Sequence, residues 1–289
     1  MEHRVSWLQK CLGLGPGRIL DTCVLPVPLS RKTPGLSRLT RGASAAADRR
    51  IEKKEATFSD LIEDMDRARV DASLVVLYEG TDEFFRFAAQ HPGRLFGLAY
   101  YDSLSPGRGL ERVQALCGEH PVQILGVMTA MTRFGQDPRL RDFLPLYVFC
   151  AERGLPVQFC VGDDPTEEEA GRPMAFAVLA RSYPRLKVVC QYNGSWRGDS
   201  LACLHRFPHL YLQVDGSSLD AVLRAVRGRR LLFGSDWQGR EAGYFERVEA
   251  VRRLPWRQRR DVGWRTAVRV YSPRILSPSS EDHAQPSSR

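Results

Sequence analysis

The first chemistry this chain offers is an acid at the end of an apolar run, Leu231-Leu232-Phe233-Gly234-Ser235-Asp236-Trp237. Such a run, entered from Arg229-Arg230 and left through Gln238-Gly239, reads as a strand buried on both faces that delivers a carboxylate at its C-terminal end. In α/β proteins that end of the strand is where ligands and reacting groups gather, so Asp236 is a candidate catalytic acid or base. It could equally be a turn or capping acid. Further along the same reasoning, Tyr192, Asn193 and Trp237 supply hydrogen-bonding and stacking groups suited to a small polar or aromatic ligand. Asp163 and Asp164, continued by Glu167 to Glu169, offer carboxylates, but a run of like charge reads first as a solvated loop. Arg197 could meet an anionic group, as any loop arginine could.

Elements must exist to position these groups. Strand-like runs occur at Ile19–Leu25, Ser73–Tyr78, Leu95–Tyr100, Val122–Met128, Leu155–Val161, Leu186–Tyr192, Leu210–Val214 and Leu231–Asp236. Between them the apolar spacing turns helical: a helix opened by Thr57, one through Phe84, Phe87 and Ala88, and one through Leu110, Val113 and Leu116. Asp137-Pro138 stands in the favoured order for a helix that runs to Gly154. Ala175–Ser182, Leu201–His205, Ser218–Val226, Tyr244–Arg252 and Gln258–Val270 continue the pattern. Eight strands alternating with helices, without a change in composition, predict a single-domain α/β fold, a closed (βα)8 TIM-like barrel over 18–272. An open doubly wound sheet is the other option, and it lacks the glycine-rich turn after the first strand that dinucleotide binders use. Residues 1–17 read as a flexible lead-in, 30–54 as a basic loop and 273–289 as a disordered tail.

Composition narrows the function classes. The 289 residues are 43% hydrophobic with a net charge of +8, which favours acidic partners without specifying one. Arginine is spread along the chain, and the densest segment, Arg252 to Arg269, reads as a solvated helix face. Seven cysteines, widely spaced and without a CxxC pair, fit a reducing compartment and a cytoplasmic protein. No stretch approaches the ~18 apolar residues of a membrane span. The expected partners are therefore a small molecule, a second copy or an intact relative, with no nucleic acid and no membrane.

From Arg18 to Tyr271 the chain resembles the amidohydrolase-related branch of the amidohydrolase superfamily. The pieces that carry the resemblance are Ile19-Leu20-Asp21, the stretch from His91-Pro92 to Gly97, the helix Leu140 to Gly154 leading to Leu155-Pro156-Val157, the stretch from Tyr183-Pro184 to Val189, and Leu232 to Trp237. The resemblance implies a distorted (βα)8 barrel and a metal-dependent hydrolase or decarboxylase, whose Lewis acid lowers the pKa of bound water. It also implies a His-x-His pair after the first-strand aspartate, where this chain has Cys23 and Leu25. A fifth-strand histidine is replaced by Cys160 and a sixth-strand histidine by Tyr192. The last-strand aspartate is present as Asp236. The six histidines, His3, His91, His120, His205, His209 and His283, stand before strands, in a helix or near the termini and cannot take these places.

A leucine has no lone pair to give, so a metal-free site without cofactor is expected. Cys23, Cys160 and Cys190 with Asp236 could hold zinc in a rebuilt site, since the resemblance places Cys160 toward the interior and period-two alternation turns Cys190 with Tyr192 the same way. Buried cysteine is also a common apolar filler. The expectation is a barrel that is non-catalytic or metal-independent, with a binding or regulatory role. Asp236 is its catalytic candidate, and Cys23, Cys160, Tyr192, Asn193 and Trp237 its ligand-binding candidates. The alternative is a hydrolase or decarboxylase acting on a small carboxylate-bearing substrate, with Asp236 as acid or base.

Overall fold

Eight parallel strands succeed one another in chain order around a single sheet: β1 (Leu20–Val24), β2 (Ala72–Leu77), β3 (Leu95–Tyr101), β4 (Ile124–Met131), β5 (Val157–Val161), β6 (Val188–Gln191), β7 (Leu210–Val214) and β8 (Leu231–Phe233). This is the predicted (βα)8 barrel. The computed structural model describes residues 18–25, 56–78, 81–103, 105–131, 141–161, 173–191, 204, 206–216, 219–226, 228–237 and 242–271. The lead-in 1–17, the basic loop 30–54 and the tail 273–289 fall outside them, as does the helix start at Asp137-Pro138.

Helices α1 (Phe58–Ala68), α2 (Thr81–Gln90), α3 (Pro106–Glu119), α4 (Leu144–Arg153), α5 (Pro173–Ser182), α6 (Leu219–Ala225) and α7 (Ala242–Arg252) form the outer layer. The start of α1 follows from its first residues. The Thr57 side chain accepts from Asp60 N while the Asp60 carboxylate accepts from Thr57 N, which satisfies two of the amides a helix leaves free. Replacing Thr57 by Ala is expected to lower stability by about 1 kcal/mol, read as a reduced thermal midpoint. The opposite end of α4 is closed by Gly154 at φ 65, a left-handed cap whose N–H returns to the Ala151 and Cys150 carbonyls.

Alternation along the strands sorts the core into two clusters. Val75, Leu77, Val127, Val188 and Leu212 face the helices, while Leu74, Val76, Met128, Val189 and Leu232 fill the barrel. The last stretch departs from the single helix expected over 258–270. It is a short helix α8 (Trp256–Arg260), a π-helical turn (Asp261–Arg265) and α9 (Thr266–Tyr271). At the turn, Gly263 lies so close to β1 that an added Cβ would meet the Arg18 carbonyl at 3.1 Å. Trp264, Ala267, Val270 and Tyr271 thereby plug the barrel floor.

Candidate functional site at the mouth of the barrel

The eighth strand is shorter than the apolar run suggests. It ends at Phe233, and Gly234, Ser235 and Asp236 leave the ladder before Trp237 bridges back to Val24. Closure of the barrel happens in this stretch. Asp236 N donates to Cys23 O at 3.0 Å, Leu25 N to Trp237 O at 2.8 Å, and the Thr22 hydroxyl to Phe233 O at 2.7 Å. The Asp21 carboxyl completes the seam. Its Oδ1 accepts from Ser235 N at 2.8 Å and Cys23 N at 3.2 Å, and its Oδ2 is hydrogen-bonded to the Ser235 hydroxyl. Asp236 itself is turned into the left-handed region at φ 52, which a non-glycine residue holds only when its surroundings fix it.

Those surroundings are amides. Gln213 on β7 places Nε2 at 3.4 Å from Asp236 Oδ1, and Gln191 on β6 donates Nε2 to Oδ2. Behind Gln213 the series continues into the barrel. Gln158 on β5 donates Nε2 to Gln213 Oε1, and the Tyr271 hydroxyl donates to Gln158 Oε1 at 2.5 Å. The orientation of both amides follows from the end of the series. A carboxylate only accepts, so Gln213 must present its NH2 to Asp236 and its oxygen to Gln158, which in turn must present its oxygen to the phenol. A line of aligned donors thus runs from the floor to the mouth, and aligned hydrogen bonds polarise one another.

Two carboxyls titrate unusually at this seam. Burial pushes the Asp21 carboxyl up from 3.8 to about 7, against the hydrogen bonds from Ser235 and Cys23 and with the help of the nearby Asp236 charge. Loss of water also raises Asp236 to about 6, opposed by a hydrogen bond from the Cys23 thiol and by the Arg247 charge. Arg247 is engaged elsewhere, donating Nη1 to Ser235 O at 2.6 Å. The raised Asp236 is partly buried, so solvent still reaches it.

The site residues expected from sequence separate in space. Cys23 meets Asp236 at the mouth. Trp237 does not join them: it is 1% exposed, belongs to the outer core, and donates its indole N–H to the buried Asp64 at 3.0 Å. Cys160 lies in β5 two residues beyond Gln158, and its side chain, with Tyr192, Asn193, Arg197 and the acids 163–169, is outside the described residues. Cys190 corrects the expected alternation. It faces the helices among the outer core residues, and its neighbour Gln191 is the member of β6 that points inward. His120 stacks on Phe85 and His209 binds the Ala180 carbonyl, both before strands as expected. Gln158, Gln191 and Gln213 were not anticipated. The available signal was a polar residue within each of three buried strands, since such a group must find a partner.

The sequence profile of the amidohydrolase family matches residues 34–272. The chain belongs to that family. None of the curated proteins matches it. Among solved structures, an uncharacterised TIM-barrel protein from Bordetella bronchiseptica shares 18% identity over 90% of this chain and 100% of that one, with a TM-score of 0.67. A 5-carboxyvanillate decarboxylase from Sphingomonas paucimobilis shares 14% over 89% and 99%, with a TM-score of 0.64. A 2,6-dihydroxybenzoate decarboxylase from Rhizobium shares 12% over 90% and 99%, at 0.62. At these identities the likeness is one of fold.

Family membership raises the question of a metal, and the described donors answer it for their own part. In this amidohydrolase-family chain the Cys23 thiol is spent on Asp236, Leu25 has no donor atom, and the Asp236 oxygens already receive the Gln191 and Gln213 amides. Among the described residues no group of three or more His, Cys, Asp and Glu side chains could hold a metal ion. Amide N–H groups aimed at a carboxylate are arranged for an anion's needs rather than a cation's. These residues do not fit the family's metal.

Proposed function

We propose that this amidohydrolase-family barrel is a proton-transfer enzyme of the hydrolase or decarboxylase class, acting on a small carboxylate-bearing substrate at the β1–β8 mouth without the family's metal. The observation that carries the reading is Asp236: a carboxyl raised to about 6, in a fixed left-handed conformation, gripped by two amides and still reached by solvent. A group with a pKa near the working pH exchanges protons in both directions. In a decarboxylation, protonated Asp236 delivers its proton to the carbon that bears the carboxylate, the electron pair of the breaking C–C bond forms the new C–H bond, and CO2 departs. In a hydrolysis, the Asp236 carboxylate takes a proton from the attacking water as the new C–O bond forms, and returns it to the leaving group as the scissile bond breaks. Tyr192 is proposed to assist. The decarboxylase neighbours support this class of substrate.

A second reading, a binding or regulatory barrel without turnover, draws on Leu25 and on the closed donor set around Asp236. One experiment separates the two. Chelator-treated protein of measured metal content is incubated with a panel of small aromatic and aliphatic carboxylic acids, and CO2 release and substrate loss are followed for wild type and Asp236→Asn. Turnover that falls by about 100-fold or more in the variant is the expected result. Saturable binding without turnover favours the regulatory reading, and activity that tracks a stoichiometric metal overturns the metal-free one.

A further inference from the structure

Among the described residues, basic charge gathers at the end of the barrel from which the strands start. The described acids Asp82, Glu83, Asp102, Asp215 and Asp220 stand after strand C-termini or in the first helical turns that follow. Four of the segments that lead into strands carry exposed arginine, Arg69 before β2, Arg185 before β6, Arg206 before β7 and Arg229 before β8, while the segment before β4 carries Glu119. The chain's last helices lie across the same end. Arg252 donates to the Ala68 and Arg69 carbonyls, Lys187 to the Arg269 and Val270 carbonyls, and Arg269 to the Arg229 carbonyl. They bring exposed Arg257 and Arg269 onto the floor.

Cations in a helix's last turn complement its dipole, which accounts for Arg153, Arg181 and Arg252. The same accounts for Arg257 in the last turn of α8, whereas Arg69 and Arg185 extend the basic surface beyond the helix ends. Of the acids at this end, Asp66 pairs with Arg94 at 2.7 Å, Asp71 with Arg18 at 3.7 Å, Glu249 with Arg253 at 3.4 Å and Asp261 with Arg265 at 3.6 Å, and the exposed Glu119 and Glu152 are outnumbered by the exposed arginines. At the same end Trp256 opens α8 with 51% of its surface exposed and the Arg260 guanidinium 4.5 Å over its ring.

We propose that the floor of the barrel is a docking face for an anionic lipid surface, with Trp256 as its interfacial anchor. Arginines spread over one end of the molecule match a planar anion, each adding attraction to an acidic leaflet. An indole beside a guanidinium suits the headgroup layer, and peripheral attachment needs a second element besides charge. Single-stranded nucleic acid would want a row of aromatics for successive bases. Among the described residues Trp256 is the one exposed large aromatic. No helix of the described residues is long and apolar enough to span a membrane, and a peripheral face requires none.

The test is co-sedimentation of the full chain with phosphatidylcholine vesicles and with vesicles containing about one third phosphatidylserine. Binding only to the acidic vesicles, lost at high salt, is the expected result. The Arg185→Ala/Arg257→Ala double variant should bind about 30-fold more weakly, and Trp256→Ala roughly tenfold more weakly, with unchanged thermal midpoints. Equal binding to neutral vesicles, no binding to either, variants that bind as wild type, or tighter binding to single-stranded RNA than to acidic vesicles would each overturn the proposal.

Discussion

Asp21→Ala is expected to destabilise the protein by about 3–5 kcal/mol, the largest single effect at the seam, whereas Asp21→Asn should leave it folded and change only its response to pH. The Asp21 side chain is fully buried and closes the barrel where β8 has already ended. Removing it strands the Ser235 and Cys23 amides without partners, at about 1–3 kcal/mol each, along with the Ser235 hydroxyl. Asparagine keeps an oxygen for the two amides and presents an NH2 to the Ser235 hydroxyl, which is the arrangement the protonated acid makes. The hydroxyl remains tied as well to Trp237 N at 3.1 Å.

The pH response follows from the direction of the shift. Asp21 is raised from 3.8 to about 7 in the folded chain, so folded protein keeps a proton that the unfolded chain has released across that interval. The folded state binds more protons, and stability therefore falls as pH rises from about 4 to about 7. Asp236, raised to about 6, adds a smaller slope of the same sign, reduced by its solvent contact. Chemical denaturation of wild type and Asp21→Asn between pH 5 and pH 8 checks this. The wild type should lose stability over the range while the variant shows a shallower slope and gains on it toward pH 8. Parallel curves would show that Asp21 does not hold its proton.

Gly234→Ala is expected to dismantle the amide series and cost about 2–3 kcal/mol, although the position has no special backbone conformation. An added Cβ would run into the Gln213 side chain, with Gln213 Cγ at 2.7 Å. That side chain cannot retreat, because its oxygen is held by Gln158 and its NH2 faces Asp236. Whichever way it moves, a buried amide loses a partner. The clash is with one side chain, so a second substitution should relieve it. Gln213→Ala in the Gly234→Ala background is predicted to be more stable than Gly234→Ala alone, while Gln213→Ala in the wild type destabilises. Additive losses in this double-mutant cycle would mean that Gly234 serves the backbone and not the glutamine. Both variants should also disturb Asp236 in the turnover assay, since the series is what holds its carboxyl.

Much of the scaffold was legible from local chemistry. Thr57 announced a helix start, Gly154 a helix end, and the eight apolar runs the strands, because capping and hydrophobic burial are decided by residues near in sequence. Asp236 was likewise visible as an acid after a buried run. Its partners were not. Gln158, Gln191 and Gln213 lie on three different strands, and only the register that sets Gln191 beside Gln213 aligns them. Nor does a period of two say which of its two sets faces inward, which is why Cys190 was assigned to the barrel interior and belongs to the outer core.

What the sequence determined by itself is the kind of fold and the place of one acid in it: a (βα)8 barrel with an aspartate after its last strand. What only the tertiary structure decided is the state of that aspartate. Amides from β6 and β7 and the Cys23 thiol from β1 converge on Asp236, Gln158 and Tyr271 hold Gln213 in place behind them, and burial raises the carboxyl's pKa against the Cys23 and Gln213 hydrogen bonds. Side-chain burial and hydrogen bonding between distant strands are properties of closed packing, and closure at Asp21 and Ser235 is what brings them into being.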